Sequence, residues 1–290
     1  VKPLRKQFKP GSPFMFDIAY RETKSSHTEL PEHFHDWYEI VYIYAGSGTF
    51  FIDQTLYDVK PGDLFLIPGD TIHRTLPDAT DPVIATALYF SSLLIPPNVY
   101  GDGFSFLDAF EHSKQTKQYQ LDTRTYREMV EQHMDRIHEE LCEKRPGCRQ
   151  AIQLALQQLL LVLARHTTPC TASDSVPTTH VWPWIGQALQ YIEDHLFADI
   201  HLPHLAREAA VSPSHFSRVF KQLTGMNVTE YILTKRILSA KELLTRTDDK
   251  VSDIAAQCGF ESLPYFHKKF KAVTGSTPSR FRRLTLNFPS

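Results

Sequence analysis

The stretch Val251–Pro278, VSDIAAQCGFESLPYFHKKFKAVTGSTP, reads as two helices joined by a sharp turn, with a basic face on the second. In the first helix Val251, Ile254, Ala255 and Cys258 recur at the i, i+3, i+4, i+7 spacing of one buried stripe. Gly259 ends it, since glycine reaches the left-handed conformation that a helix C-terminus often needs. In the second helix Ser262 stands as N-cap and Pro264 lies in the first turn, where a missing amide hydrogen costs little. Phe266, Phe270 and Val273 form its inner stripe, and Gly275 closes it. At 100° per residue the opposite face carries Pro264, His267, Lys268 and Lys271. A cationic helix braced on a short partner suits a DNA groove.

The pattern occurs a second time, fifty positions earlier: Ser212, Phe216, Phe220, Lys221, Thr224 and Gly225 match Ser262, Phe266, Phe270, Lys271, Thr274 and Gly275. Leu202, Leu205, Ala206 and Ala209 supply the first helix of this copy, and its second helix exposes Ser214, Ser217, Arg218 and Lys221. Arg218 falls where Lys268 falls. A plain helical bundle with solvated lysines is the competing reading of one such pair, but duplication with matched basic positions weighs against it. Between the copies, an Asn227…Glu230 capping box opens a helix over 228–244 with Tyr231, Ile232, Ile237, Ala240, Leu243 and Leu244 as its apolar positions. Such a spacer is about 25 Å long, enough to brace two units for grooves ~34 Å apart on one duplex face.

Taken together, LAREAAVSPSHFSRVFKQLTG, TEYILTKRILSAKELL and the stretch from Val251 resemble the DNA-binding domain of AraC/XylS-type bacterial transcription regulators. The resemblance implies two recognition helices, with Ser214, Ser217 and Arg218 in one and Pro264, Tyr265 and Lys268 in the other. It also implies double-stranded promoter DNA as partner, a homodimer, and activation through contact with RNA polymerase. Val228 departs from the proline usual in the family, and Pro264 has no side-chain hydrogen-bonding group.

Charge divides along the chain. The 290 residues sum to a net charge of −2, yet residues 200–290 hold 14 Lys+Arg against 7 Asp+Glu. Basic charge thus gathers where DNA would bind. Hydrophobic residues make up 42%, enough for two domains and a sizeable core. Cys142, Cys148, Cys170 and Cys258 have no metal-binding spacing and are expected as reduced thiols. No signal peptide or bilayer-spanning stretch is read, so the expected compartment is the cytoplasm, with no membrane partner.

Residues 1–13, VKPLRKQFKPGSP, read as an arm rich in proline and basic groups. From Phe14 to about Phe90, short β-branched and aromatic runs punctuated by Gly46, Gly48, Gly62 and Gly69 predict an antiparallel sandwich or barrel. Strand alternation places His33 and His35 on one face, and Glu39, Val41 and Ile43 on one face of the following run. Tyr38, Tyr42 and Tyr44 take the opposite face and are expected to pack against helices.

His33-Phe-His35-Asp-Trp-Tyr-Glu39 through Gly46, followed by Gly62 through Pro68 to His73, resembles the two cupin motifs, HxHxxxExxxxxxG and GxxxxxPxGxxH. Asp70 stands where glycine is usual, and Pro77 where a later asparagine would be. The resemblance implies His33, His35, Glu39 and His73 as ligands for a divalent transition metal, although a sensor could use the same groups without one. A cupin metal-dependent enzyme domain fused to a DNA-binding module is the alternative, and histidines merely hydrogen-bonded to Glu39 are the third reading. Fusion to a duplicated DNA reader favours a sensor over catalysis, so no catalytic residue is assigned. Arg21 and Trp37 join the candidate effector site, because a guanidinium and an aromatic face suit carboxylates and sugar rings.

After Asp102 the chain turns helical. Asp122–Lys144 carries Tyr126, Met129, Val130, His133, Ile137 and Leu141, and Cys148–His166 carries Ile152, Ala155, Leu156, Leu159, Leu160, Val162 and Leu163. The second apolar face is wider than one partner helix needs, which points to a second subunit or to burial against the barrel. Residues 167–182 read as a linker, and a helix from Trp184 to Leu196 leads into the first helix-turn-helix. The expected architecture is two-domain α+β. Residues 1–166 form a cupin-like effector-binding and dimerisation domain, with its helical pair at about 122–166, and residues 183–290 form an all-α DNA-binding domain with two helix-turn-helix units. The expected function is a ligand-responsive regulator that activates transcription, with carbohydrate genes as targets and a sugar as effector.

Overall fold

The computed structural model describes residues 4–5, 14–24, 33–96, 101, 103–166 and 183–286. The 167–182 linker and most of the 1–13 arm lie outside them; of the arm, Leu4–Arg5 is a two-residue strand, β1. The chain divides into two compact units, one rich in strands and one helical.

The strand-rich unit contains β2 (Phe16–Lys24), β4 (Tyr38–Ala45), β5 (Gly48–Ile52), β6 (Thr55–Val59), β7 (Asp63–Ile67), β8 (His73–Pro77), β9 (Val83–Phe90) and β10 (Gln120–Asp122), with the two-residue β3 (His33–Phe34) before β4. One sheet has the order β10-β7-β4-β9-β2, and its neighbours are antiparallel. The other runs β8-β5-β6, also antiparallel. The cupin-like barrel is therefore built as two sheets over a shared core. That core takes Val41, Ile43, Phe65, Ile67 and Ala87 from the first sheet and Phe50, Ile52, Tyr57 and Val59 from the second.

The other face of the large sheet is covered too. Ile40, Tyr42, Leu64, Leu66, Leu88 and Phe90 pack with residues of α1 (Asp108–Thr116), α2 (Arg127–Glu143) and α3 (Cys148–His166). Burial on both faces explains why Ile40–Ile43 is an unbroken apolar run and not an alternating one. Tyr38, Tyr42 and Tyr44 lie on this helix side; Tyr38 stacks on Phe90, and the Tyr42 hydroxyl donates to Glu131 of α2 at 2.7 Å.

One expectation about the helical pair needs correction. The helix expected from Asp122 starts at Arg127, because Gln120–Asp122 pairs instead with Asp63–Phe65 as an edge strand. The Thr123 hydroxyl donates to Gly62 O at 2.5 Å, which fixes the turn between strand and helix. The inner stripe of α2 is then Val130, Met134 and Ile137, while Met129 is 44% exposed. On α3, all seven apolar positions named above are buried within the chain itself. The width of that face matches its contacts with the sheet, α1 and α2.

The helical unit comprises α4 (Pro183–Asp194), α5 (Leu202–Glu208), α6 (Pro213–Thr224), α7 (Val228–Arg246), α8 (Val251–Gln257), α9 (Leu263–Thr274) and α10 (Pro278–Leu286). Duplication shows in its bonds. Ser212 and Ser262 cap α6 and α9 through the backbone N–H groups of His215 and Tyr265, and Gly225 and Gly275 end them at φ +77° and +81°. Asn227 and Glu230 form the expected capping box at the start of α7. Ile237, Ala240 and Leu244 of α7 share a core with Ile254, Ala255, Cys258, Phe266 and Phe270, so the second helix-turn-helix is seated on the spacer. Gly259 sits at φ +74°, and a Cβ there would lie 2.7 Å from Phe197 O, so the turn requires glycine twice over.

Candidate functional site

Two places carry chemistry. The first lies between the sheets. His35 leads into β4, Glu39 is its second residue, and His73 opens β8. Asp70 N–H donates to His35 O at 2.6 Å, which ties the two histidine segments together. Asp70 holds φ +64°, so aspartate fills the left-handed position where the motif usually has glycine.

The side chains converge. Glu39 Oε2 lies 2.9 Å from His35 Nε2 and 3.0 Å from His73 Nε2, with all three residues at most 3% exposed. Each ring is oriented from behind: His35 Nδ1 donates to Trp37 O at 2.8 Å, and His73 Nδ1 donates to Thr71 O at 2.9 Å. Burial works against ionisation of Glu39, but the His73 and His35 rings that face the carboxyl outweigh it and hold it well below its ordinary value. Tyr89, not anticipated from the sequence, completes the group. It is the direct cross-strand partner of Glu39, is 5% exposed and is hydrogen-bonded to that carboxylate. Burial and the Glu39 charge push its hydroxyl well above the ordinary tyrosine value.

The hydrogen count tests whether this set suits a metal. A carbonyl only accepts, so both Nδ1 atoms carry hydrogen, and a neutral ring then presents a bare lone pair at Nε2. Two such lone pairs and a carboxylate oxygen lie within 4.8 Å of one another. Hydrogen bonding alone would require a second hydrogen on both rings, leaving a net positive charge in a buried cluster. A divalent cation satisfies all three atoms with neutral rings, and Nδ1–H to carbonyl is the usual orienting contact behind a histidine ligand. The 2.9 and 3.0 Å separations are also near the ~3 Å edge between adjacent ligands that each sit ~2.1 Å from a metal. The residues fit the group.

The other expected members divide. Trp37 packs against the inner core and orients His35 through its carbonyl. His33 lies in β3, but its side chain is outside the described residues. Arg21 is not brought to the cluster. It sits at a β-bulge with φ +47°, its guanidinium 4.4 Å over the Tyr44 ring and 3.2 Å from Asp135 of α2, on the helix side of the sheet. The alternation that assigned faces to β4 does not survive a bulge in β2, which reverses the side a residue faces.

The second place is formed by α6 and α9. Ser214, Arg218 and Lys221 are exposed and Ser217 is half-buried; Pro264, Tyr265, Lys268 and Lys271 are exposed and His267 is half-buried. The inner faces carry Phe216 and Phe220 in one copy and Phe266 and Phe270 in the other, all fully buried. Two contacts were not read from the sequence. Arg218 Nη2 donates to His215 Nδ1 at 3.2 Å, and Lys269 Nζ lies 5.3 Å over the Tyr265 ring. His215 and Tyr265 are fifty residues apart, so the repeat places a ring beside the basic face in both copies. Behind α9, Arg236 of α7 donates to the carbonyls of Leu196, Ala198 and Gly259 at 2.8, 2.6 and 2.9 Å.

Cys142, Cys148 and Cys258 are free thiols; Cys170 lies outside the described residues. Among the described residues no helix is long and apolar enough to cross a membrane.

Comparison with known proteins matches both units. The AraC-like ligand binding domain matches residues 16–160, and a helix-turn-helix domain matches residues 205–284. The HTH-type transcriptional activator RhaR of Escherichia coli (strain K12) is 28% identical over 253 residues, 87% of each chain. Among solved structures, the C-terminal domain of AraT, a response regulator from Geobacillus stearothermophilus, is 32% identical over 37% of this chain and 88% of its own, with a TM-score of 0.35. ToxT from Vibrio cholerae O395 aligns with 94% of this chain and 99% of its own at 12% identity and a TM-score of 0.38.

Proposed function

The chain belongs to the AraC family of ligand-binding, helix-turn-helix transcription regulators, and we propose that it activates promoters in response to a small molecule held between its two sheets. The observation that carries this reading is the duplicated helix pair, with Arg218 and Lys268 exposed at matched positions on helices whose inner faces are fully buried. Lys221 and Lys271 add phosphate contacts, which position the helices, while Ser214, Ser217, Pro264, Tyr265 and His267 face base edges and groove shape.

In the sheet unit, His35, Glu39 and His73 hold a divalent transition metal, and Trp37 fixes the His35 ring. The metal supplies a Lewis-acidic point for oxygen ligands. The chain's own groups do the rest: the backbone carbonyls keep Nε2 turned inward, and Tyr89 pins the carboxylate. This is a binding site, not a catalytic one, since its partner module reads DNA. The likeness to the activator RhaR supports activation of transcription, with RNA polymerase as the partner contacted, and a carbohydrate effector suits the buried polar group of His35, Glu39 and His73. A homodimer working in the cytoplasm completes the reading.

The test is recovery of a promoter site. Purified chain is mixed with fragments of its source genome, and bound fragments are sequenced with and without a metabolite panel. A recurring pair of half-sites about one helical turn apart, with occupancy changed by a metabolite, is expected. Binding with no recurring sequence overturns the reading.

A further inference from the structure

We infer that His215 is a positioning residue for Arg218: it takes one hydrogen of the guanidinium and sets the remaining fork to read a guanine in the major groove. The inference rests on the reading of α6 as a DNA-facing helix.

Arginine carries only donors, so the 3.2 Å contact from Arg218 Nη2 makes His215 Nδ1 the acceptor and puts the ring hydrogen on Nε2. Three residues apart on one helix, the two side chains are neighbours. The ring is braced in turn. Trp184 of α4 lies 6.1 Å from His215 and 5.3 Å from the fully buried Phe216. Contacts run from Trp184 to His215 to Arg218, and of the three only Arg218 is exposed.

The same device occurs in α5. Arg207 Nη2 donates to His204 Nδ1 at 2.9 Å, again three residues back, and His204 Nε2 then donates to the Tyr191 hydroxyl at 3.0 Å. Trp184 and Tyr191 are seven residues apart, on one face of α4. One aromatic face therefore backs both histidine–arginine pairs of the first helix-turn-helix. In the second unit Ile254 and Gln257 stand where His204 and Arg207 do, and Tyr265 and Lys268 where His215 and Arg218 do. The arrangement belongs to the first unit and is not a by-product of the repeat.

Its consequence follows from the shape of the cation. Of five guanidinium hydrogens the imidazole takes one on Nη2, and whichever it takes, one two-hydrogen edge stays whole. Such an edge matches guanine O6 and N7. An unrestrained arginine loses rotamer freedom when it docks, whereas one already held loses less and offers its edge in one orientation.

The full chain is tested by selection from a randomised library of DNA duplexes, with the bound duplexes sequenced. The expected result is a motif containing one guanine whose preference Arg218→Lys removes, since lysine keeps the charge and lacks the fork. His215→Leu keeps bulk against Trp184 and removes the acceptor, so it should weaken that preference about tenfold and leave the other positions unchanged. His215→Asn, whose amide oxygen falls near the place of Nδ1, should restore it. In the Arg218→Lys background, His215→Leu should change nothing further. Recovery of no motif removes the DNA reading of α6 and this inference with it. A motif without an Arg218-dependent guanine, a guanine preference that survives His215→Leu, or a loss that His215→Asn does not restore overturns the inference while DNA binding stands.

Discussion

Thr224 and Thr274, fifty residues apart, make the same bonds: each hydroxyl donates to the carbonyl four residues back, Phe220 O and Phe270 O, at 2.8 Å, and accepts the N–H two residues on, from Met226 and Ser276, at 3.2 and 3.3 Å. The hydroxyl closes each recognition helix where glycine turns the chain away. Thr224→Val keeps the shape and leaves the buried Met226 N–H unpaired, which costs about 1–3 kcal/mol. Thr274→Val acts in the same direction through the Ser276 N–H. Urea titration of the full chain should place the helical unit's midpoint lower in both variants, and no change in either would show that the bonds contribute nothing net.

Arg218→Ala and Lys268→Ala are expected to weaken promoter binding without unfolding the chain, since both side chains are exposed at positions that the buried phenylalanines fix from behind. A lost phosphate contact lowers the steepness of log K against log salt by ~1, whereas a lost base contact relaxes sequence preference and costs about 1–3 kcal/mol. Affinity measured from 50 to 200 mM salt separates the two roles. Unchanged affinity for both variants would remove α6 and α9 as the DNA-reading helices.

Metal removal should lower the melting temperature of the sheet unit. A ligand bound only by the folded chain, and present at a hundred times its dissociation constant, stabilises by ~2.7 kcal/mol. Protein purified without an affinity tag is therefore expected to carry about one transition-metal ion per chain and to melt earlier after dialysis against EDTA. His35→Ala should abolish both the bound metal and the EDTA effect, because a three-ligand set loses a third of its donors. A native chain whose melting is indifferent to EDTA and to added Zn(II), Mn(II) and Co(II) would leave the cluster a hydrogen-bonded one.

The repeated unit was legible because local rules govern it. Ser212, Ser262, Gly225 and Gly275 act within one turn of the helix they cap, so spacing alone locates them. His35, Glu39 and His73 were legible as a motif, but their partner Tyr89 was not. Its place beside Glu39 depends on how β4 and β9 are aligned, and a chain read in one dimension carries no register. Arg21 was named for its chemistry alone; the bulge in β2 that turns it to the helix side has no signature in the sequence. Arg236 escaped notice because its partners are backbone carbonyls of the α4–α5 connection and of Gly259, which have no side-chain signature.

Cys258 reports on the seat of the second helix-turn-helix. It is fully buried among Ile254, Phe266 and Ile237, and burial pushes its thiol up to about 11 against the partial relief given by Arg236. Only the thiolate alkylates at a useful rate, so at pH 8 iodoacetamide should modify exposed Cys142 in the folded chain and reach Cys258 only after unfolding. The sign for stability follows from the same shift. A folded value above the unfolded one favours the protonated thiol, so the contribution is intact below about pH 9 and is lost as pH rises toward 11. Peptide mapping after timed alkylation gives the readout. Cys258 labelled as fast as Cys142 under native conditions would mean that α8 does not stay docked on α7, and a recognition helix held only by a loose partner could not keep Lys268 at a fixed place on DNA.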